Sequence, residues 1–143
     1  MEYPVLFSFE FLLKNNLFIN VETHSERKVM SYNYNNNTIK INLEMLEEIK
    51  DGYLYYLSED EIITVMLCHE IGHYLEFKNN KELPSQFQYY MFDSTREEYI
   101  EFILEREKVA WENGKQYVPK DLLEEYDRVN ERNINDYISY FNR

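Results

Sequence analysis

The chain has little of what bends or breaks a backbone: three glycines and three prolines in 143 residues. That scarcity argues against disorder and repeats, and no internal repeat is visible. Cysteine is nearly absent, and the single Cys68 excludes an internal disulfide, so a small core residue in a reducing compartment is its expected role. No apolar run approaches the roughly 18 residues that a membrane-spanning helix requires, and Met1 to Phe7 opens without a basic region. A cytoplasmic location without a membrane partner is the expectation. Basic residues are also few, 15 Lys and Arg against 27 Asp and Glu, for a net charge of −12. Such a charge repels a nucleic-acid backbone and favours a solvated surface or a basic protein partner.

Aromatic residues are abundant, with fourteen Tyr and nine Phe. A chain of this size buries about two thirds of its unfolded surface, so one compact, mainly helical domain over 1–143 is expected.

One stretch organises the rest: Thr64 Val65 Met66 Leu67 Cys68 His69 Glu70 Ile71 Gly72 His73 Tyr74 Leu75. Residues four apart on a helix lie on one face, so His69 and His73 can offer their imidazoles to one ion. Glu70 projects roughly 100° around the helix, beside that ion, where its carboxylate can accept a proton from water. The HExxH pattern therefore points to zinc, with Glu70 as a general base. Helix is the expected state: Ser58 reads as an N-cap with Glu61 as its capping-box partner, and Glu59, Asp60 and Glu61 place negative charge at the positive end of the dipole. Ile62, Ile63, Val65, Met66, Leu67, Cys68, Ile71, Tyr74, Leu75 and Phe77 leave almost no polar face, which is the pattern of a buried helix. Two imidazoles and a carboxylate in such a helix need partners.

Along the chain, Phe7 to Leu17 have helical spacing, and Phe18 to Glu22 read as a strand. His24, the only other histidine, lies in a polar stretch and is expected to be exposed rather than a ligand or transition-state donor. Met30, Tyr32 and Tyr34, then Asn35 Asn36 Asn37, then Thr38 to Ile41 read as a hairpin, because consecutive Asn tolerate left-handed turn conformations. A short antiparallel sheet is expected. Leu43 to Lys50 read as a short helix ended at Asp51 Gly52. After Phe77 the pattern breaks, and Pro84 leads to the expectation of a surface loop through about Asp93. A second long helix follows, over about 94–113, capped by Asp93 or Ser94 with Glu97 and stopping at Gly114. From Pro119 to Phe141 the spacing is helical again and suits packing on the core.

Catalytic zinc usually has three protein ligands and an open position, so the second long helix should supply a third. Among Glu97, Glu98, Glu101, Glu105, Glu107 and Glu112, Glu107 has Ile103, Leu104, Ala110 and Trp111 one turn away, an apolar face on which a carboxylate needs a cation. Glu105, bordered by Phe102 and Val109 but also by Glu101 and Lys108, is the alternative. A further possibility is that Glu107 pairs with Arg96, Arg106 or a lysine. Small Ala110 and Gly72 would let the two backbones approach.

These residues resemble the gluzincin metallopeptidases, particularly the compact ImmA/IrrE-like proteins of bacteria and phages. The likeness rests on His69 Glu70 Ile71 Gly72 His73 and on Glu107 Lys108 Val109 Ala110, an ExxA context, and covers roughly residues 30–114. Trp111 stands where that family commonly has Asn, and no DNA-binding domain is recognisable. The resemblance implies an α+β, mainly helical zincin-like domain with a small antiparallel sheet packed on the HExxH helix. It also implies Zn2+ held by His69, His73 and Glu107, Glu70 as catalytic base, and hydrolysis of a protein or peptide substrate. By analogy with metallopeptidases, the strand Thr38 to Asn42 is expected to be an edge strand that pairs with substrate backbone. The oxyanion-stabilising residue is expected to be a tyrosine, with Tyr126 and Tyr137 among the candidates. The alternative to an enzyme is an acidic protein-binding or inhibitor module with a structural or inactive zinc site.

Overall fold

The computed structural model describes residues 1–142 and has an α+β architecture. In chain order its elements are α1 (Tyr3–Lys14), β1 (Asn20–Thr23), β2 (Met30–Asn33), β3 (Thr38–Ile41), α2 (Leu43–Asp51), α3 (Glu59–Asn79), α4 (Leu83–Phe92), α5 (Arg96–Gly114) and α6 (Leu123–Phe141), with two short 3-10 turns between α5 and α6. Two compact units divide the chain within α3, one over Met1–Glu70 and the other from Ile71 onward. No helix among the described residues is long and apolar enough to cross a membrane.

In the first unit, α1 begins four residues earlier than its apolar spacing suggests, because Pro4 sits in the first turn, where a missing N–H costs nothing. Its end is a Schellman motif: Asn16 adopts φ 58°, the Leu17 N–H donates to Leu12 O at 2.9 Å and the Asn16 N–H to Leu13 O at 3.1 Å. Leu12 and Leu17, both buried, form the apolar side of that motif. The hairpin forms as expected, with β2 and β3 antiparallel and Asn37 in the left-handed region at φ 50°.

The sheet is mixed rather than purely antiparallel. Its order is β1-β3-β2, with β1 parallel to β3. This pairing also corrects the expectation for Thr38 to Asn42: β3 is the central strand, hydrogen-bonded on both edges, and offers no free edge to a substrate backbone. Ile39 and Ile41 are accordingly fully buried, and Lys40 faces its register partner Glu22 at 3.9 Å.

The start of α3 follows from its capping residues. The Glu61 N–H donates to Ser58 Oγ at 3.1 Å, and the Ser58 N–H donates to Glu61 Oε1 at 2.9 Å, so two orphan amides are satisfied reciprocally. Every residue from Ile62 to Gly72 is buried, as expected of a helix without a polar face.

In the second unit, α3 ends at Asn79, and the stretch expected to be a loop forms α4 instead. Pro84 occupies the first turn of α4, the one helical position where proline is favoured, so it starts a helix rather than preventing one. The cap of α5 is Thr95, one residue beyond the expected Asp93 or Ser94. Its side chain accepts from the Glu98 N–H at 3.2 Å, and Glu98 Oε1 accepts from the Thr95 N–H at 3.0 Å. Ser94 Oγ donates instead to Tyr90 O, at the end of α4. Gly114 closes α5 with an ordinary helical φ of −70° and runs directly into a 3-10 turn.

Candidate metal centre

The HExxH residues fall on consecutive turns of one unbroken helix. Along α3, ligand atoms of His69, Glu70 and His73 lie within 4.8 Å of one another. His69 and Glu70 are buried, and His73 is partly exposed. His69 Nδ1 lies 3.1 Å from Glu70 Oε2. A proton held on Nδ1 makes that contact attractive and leaves the Nε2 lone pair for a metal, the tautomer that outer-shell carboxylates impose on ligating histidines.

Within the second unit, α3 and α5 run antiparallel through three contacts. At Gly72 a Cβ would stand 1.7 Å from Ala110 O and 2.5 Å from Ala110 C, so only the missing side chain allows the backbones to touch. At the next position His73 Nε2 faces Glu107 Oε1 at 3.5 Å. Further along, the Arg106 Nε approaches Glu76 Oε1 at 2.9 Å. Neither Glu76 oxygen nor that Nε has an aligned hydrogen bond, so this is a close charge contact without a directional bond. Burial pushes the Glu76 carboxyl above its usual range, while Arg106 and His73 pull it partly back.

The acidic candidates of α5 separate by burial. Glu107 is buried at 7% exposure, whereas Glu97, Glu98, Glu101, Glu105 and Glu112 are exposed. The Glu107 carboxylate meets His73 and accepts a hydrogen bond from the Tyr137 hydroxyl of α6 at 3.2 Å. Arg106 pairs with Glu76, and Arg96 donates to Phe141 O at 2.7 Å. A separation of 3.5 Å between imidazole nitrogen and carboxylate oxygen is long for a hydrogen bond. It matches the roughly 3.4 Å expected between two ligand atoms about 2.1 Å from one tetrahedral zinc. Two imidazoles and one carboxylate are donor types that suit zinc; the side chains whose ligand atoms lie within 4.8 Å of one another are His69, Glu70 and His73, and Glu107 meets this group at His73.

Other sequence candidates fall elsewhere. Tyr126 is fully buried, donates to Trp111 O and stacks obliquely on the Trp111 ring at 4.9 Å, a core role. Tyr137 reaches Glu107. His24 is not the exposed side chain expected: only 7% of it is accessible, its Nδ1 accepts from the Glu26 N–H at 3.0 Å, and its Nε2 is buried without a hydrogen-bond partner. It joins no group of potential metal ligands among the described residues. Two contacts, Tyr137 to Glu107 and Arg106 to Glu76, have no signature in local spacing, since each joins residues thirty apart in sequence.

Comparison of the chain with protein-family models, with curated proteins and with solved structures finds no match.

Proposed function

We propose that the chain is a zinc-dependent metallopeptidase of the gluzincin type, with a zincin-like helical arrangement. The observation that carries this reading is the meeting of His73 and the buried Glu107 at ligand spacing, on a helix that already presents His69 and Glu70. His69, His73 and Glu107 would hold the zinc. When bound, zinc polarises a peptide carbonyl and lowers the pKa of a water toward about 7.

The chain's own part in the reaction is proton handling and orientation. Glu70 takes a proton from the attacking water as the water oxygen bonds to the carbonyl carbon. As the carbon–nitrogen bond breaks, Glu70 returns that proton to the leaving amine, so atoms and charge balance over the cycle. Burial of Glu70 at 4% exposure keeps its carboxylate away from competing bulk water.

Glu70→Gln keeps the shape and removes the base. It is expected to retain wild-type zinc and to lose roughly 10²- to 10⁴-fold in the rate of cleaving a peptide library. Equal cleavage by the two proteins would overturn the assignment of the base. A fully zinc-loaded wild type that cleaves nothing would overturn the enzyme reading.

A second reading, recognition of a cationic protein segment without hydrolysis, is favoured by one other feature. An open groove of about 960 Å³ between α4 and α5 has four acids in its lining, Glu82, Glu98, Glu101 and Glu105, against two bases, Arg106 and Lys108, beside Tyr89 and Tyr90. On this reading a cationic peptide binds without being cleaved, and Glu70→Gln leaves that binding unchanged.

A further inference from the structure

We infer that α6 belongs to the metal centre, with Tyr137 as the positioning residue for Glu107 and the Trp111–Asn133 bond setting the helix register that delivers it. The inference rests on the reading above that Glu107 is a zinc ligand. It goes beyond the gluzincin resemblance, which stops near residue 114 and includes nothing of α6.

The geometry is that of a clamped carboxylate. Glu107 Oε1, the oxygen that faces His73 Nε2 at 3.5 Å, is also the oxygen that accepts from the Tyr137 hydroxyl at 3.2 Å. A carboxylate oxygen has two lone-pair directions. A donor fixed on one of them sets the torsion of the side chain and aims the other. Glutamate is among the side chains with the most rotamer freedom to lose, so a ligand held in this way is organised before the ion arrives. Outer-shell hydrogen bonds to ligating groups typically change metal affinity by about 10- to 100-fold.

Tyr137 reaches that oxygen because α5 and α6 are tied in a fixed antiparallel register. One turn beyond Glu107, the Trp111 Nε1–H donates to Asn133 Oδ1 at 3.1 Å, and Asn133 lies one turn before Tyr137. The two bonds therefore sit one helical turn apart on both helices. Trp111 is further held by the Tyr126 hydroxyl on its carbonyl oxygen. At the far end Arg96 donates to Phe141 O, and the Tyr99 and Phe141 rings meet edge to face. The Tyr137 ring stacks on Phe141, one turn on, which restrains its swing. Trp111, the departure from the family's usual Asn, thereby anchors the helix that carries Tyr137.

The test is zinc affinity by chelator competition on the full chain, for wild type, Glu107→Ala, Tyr137→Phe, Asn133→Ala and the double variant Tyr137→Phe/Asn133→Ala. Melting of each metal-free protein is recorded so that affinities are compared only where all are folded. The expected result is a dissociation constant raised about 10- to 100-fold by Tyr137→Phe. Asn133→Ala should weaken binding when alone and add nothing to Tyr137→Phe, the non-additivity of two residues acting through one contact. A purely structural α6 would lower melting temperatures and leave zinc affinity unmoved. Binding that Glu107→Ala abolishes but Tyr137→Phe leaves within about twofold of wild type would overturn this inference alone. Wild-type protein that binds no zinc, or binding that Glu107→Ala leaves intact, would overturn it together with the reading beneath it.

Discussion

Replacing Gly72 with alanine is expected to destabilise the protein and to weaken its hold on zinc, although the same change inside most helices stabilises. Alanine has the higher helix propensity, by about 1 kcal/mol. Against this stands the close approach to Ala110, where the added Cβ would lie 1.7 Å from the carbonyl oxygen, while ordinary contact begins near 3.4 Å. The obstructing atoms are backbone, so no side chain can swing away and the helices must part by about 1.7 Å along that line. Overpacking typically costs about 1–3 kcal/mol, and a backbone obstacle belongs at or above the upper end. The net loss is then roughly 2 kcal/mol, which at this chain length corresponds to a melting temperature lower by about 4–8 °C. The same parting carries Glu107 away from His73, one residue on from the clash, where the two atoms are 3.5 Å apart and cannot both ligate one ion if they separate further. Thermal unfolding followed by circular dichroism, paired with zinc affinity by chelator competition, checks both effects. A variant that melts higher than wild type, as propensity alone dictates, would refute the close packing of α3 on α5.

Glu76 and Cys68 offer independent checks. Because burial holds the Glu76 carboxyl above its ordinary 4.5, the folded state binds its proton more tightly than the unfolded chain does. The stability it contributes is therefore full below about 4.5 and is lost as pH rises through the folded value. Glu76→Gln keeps a neutral side chain at all pH, so its melting temperature should gain on wild type as pH rises above about 4.5; a gap that stays constant or moves the other way contradicts this. Cys68 is fully buried and its thiol is pushed up to about 12 by desolvation. Native protein should resist a thiol-specific dye and react once denatured, and stoichiometric labelling within minutes under native conditions would be incompatible with the buried α3.

What was legible in the sequence is what short-range chemistry decides. Ser58 and Glu61 mark the start of α3 because a capping box is a local exchange of two hydrogen bonds. Asn37 turns the hairpin because Asn tolerates a left-handed φ. Glu107 stands out because a lone acid among Ile103, Leu104, Ala110 and Trp111 is costly to bury without a partner, and it is the buried acid of α5. What was not legible depends on competition or on distance along the chain. Pro84 reads equally as a helix breaker and as a first-turn residue, and α4 realises the second. Asp93, Ser94 and Thr95 are all acceptable caps, and the choice of Thr95 follows once Ser94 bonds back to Tyr90. The parallel pairing of β1 with β3, which removes the free edge expected of Thr38 to Asn42, has no local sequence signal. Nor does the choice of Tyr137 among fourteen tyrosines, which the register of α6 on α5 decides.

Elemental analysis of the purified protein tests the central claim most directly, with wild type, Glu107→Ala and Glu105→Ala prepared side by side and reconstituted with zinc. The account predicts one zinc per chain in wild type and in Glu105→Ala, and zinc lost or greatly weakened in Glu107→Ala, because Glu107 is buried against His73 while Glu105 lies exposed. Zinc retained undiminished by Glu107→Ala, or no zinc in wild type after reconstitution, would contradict it.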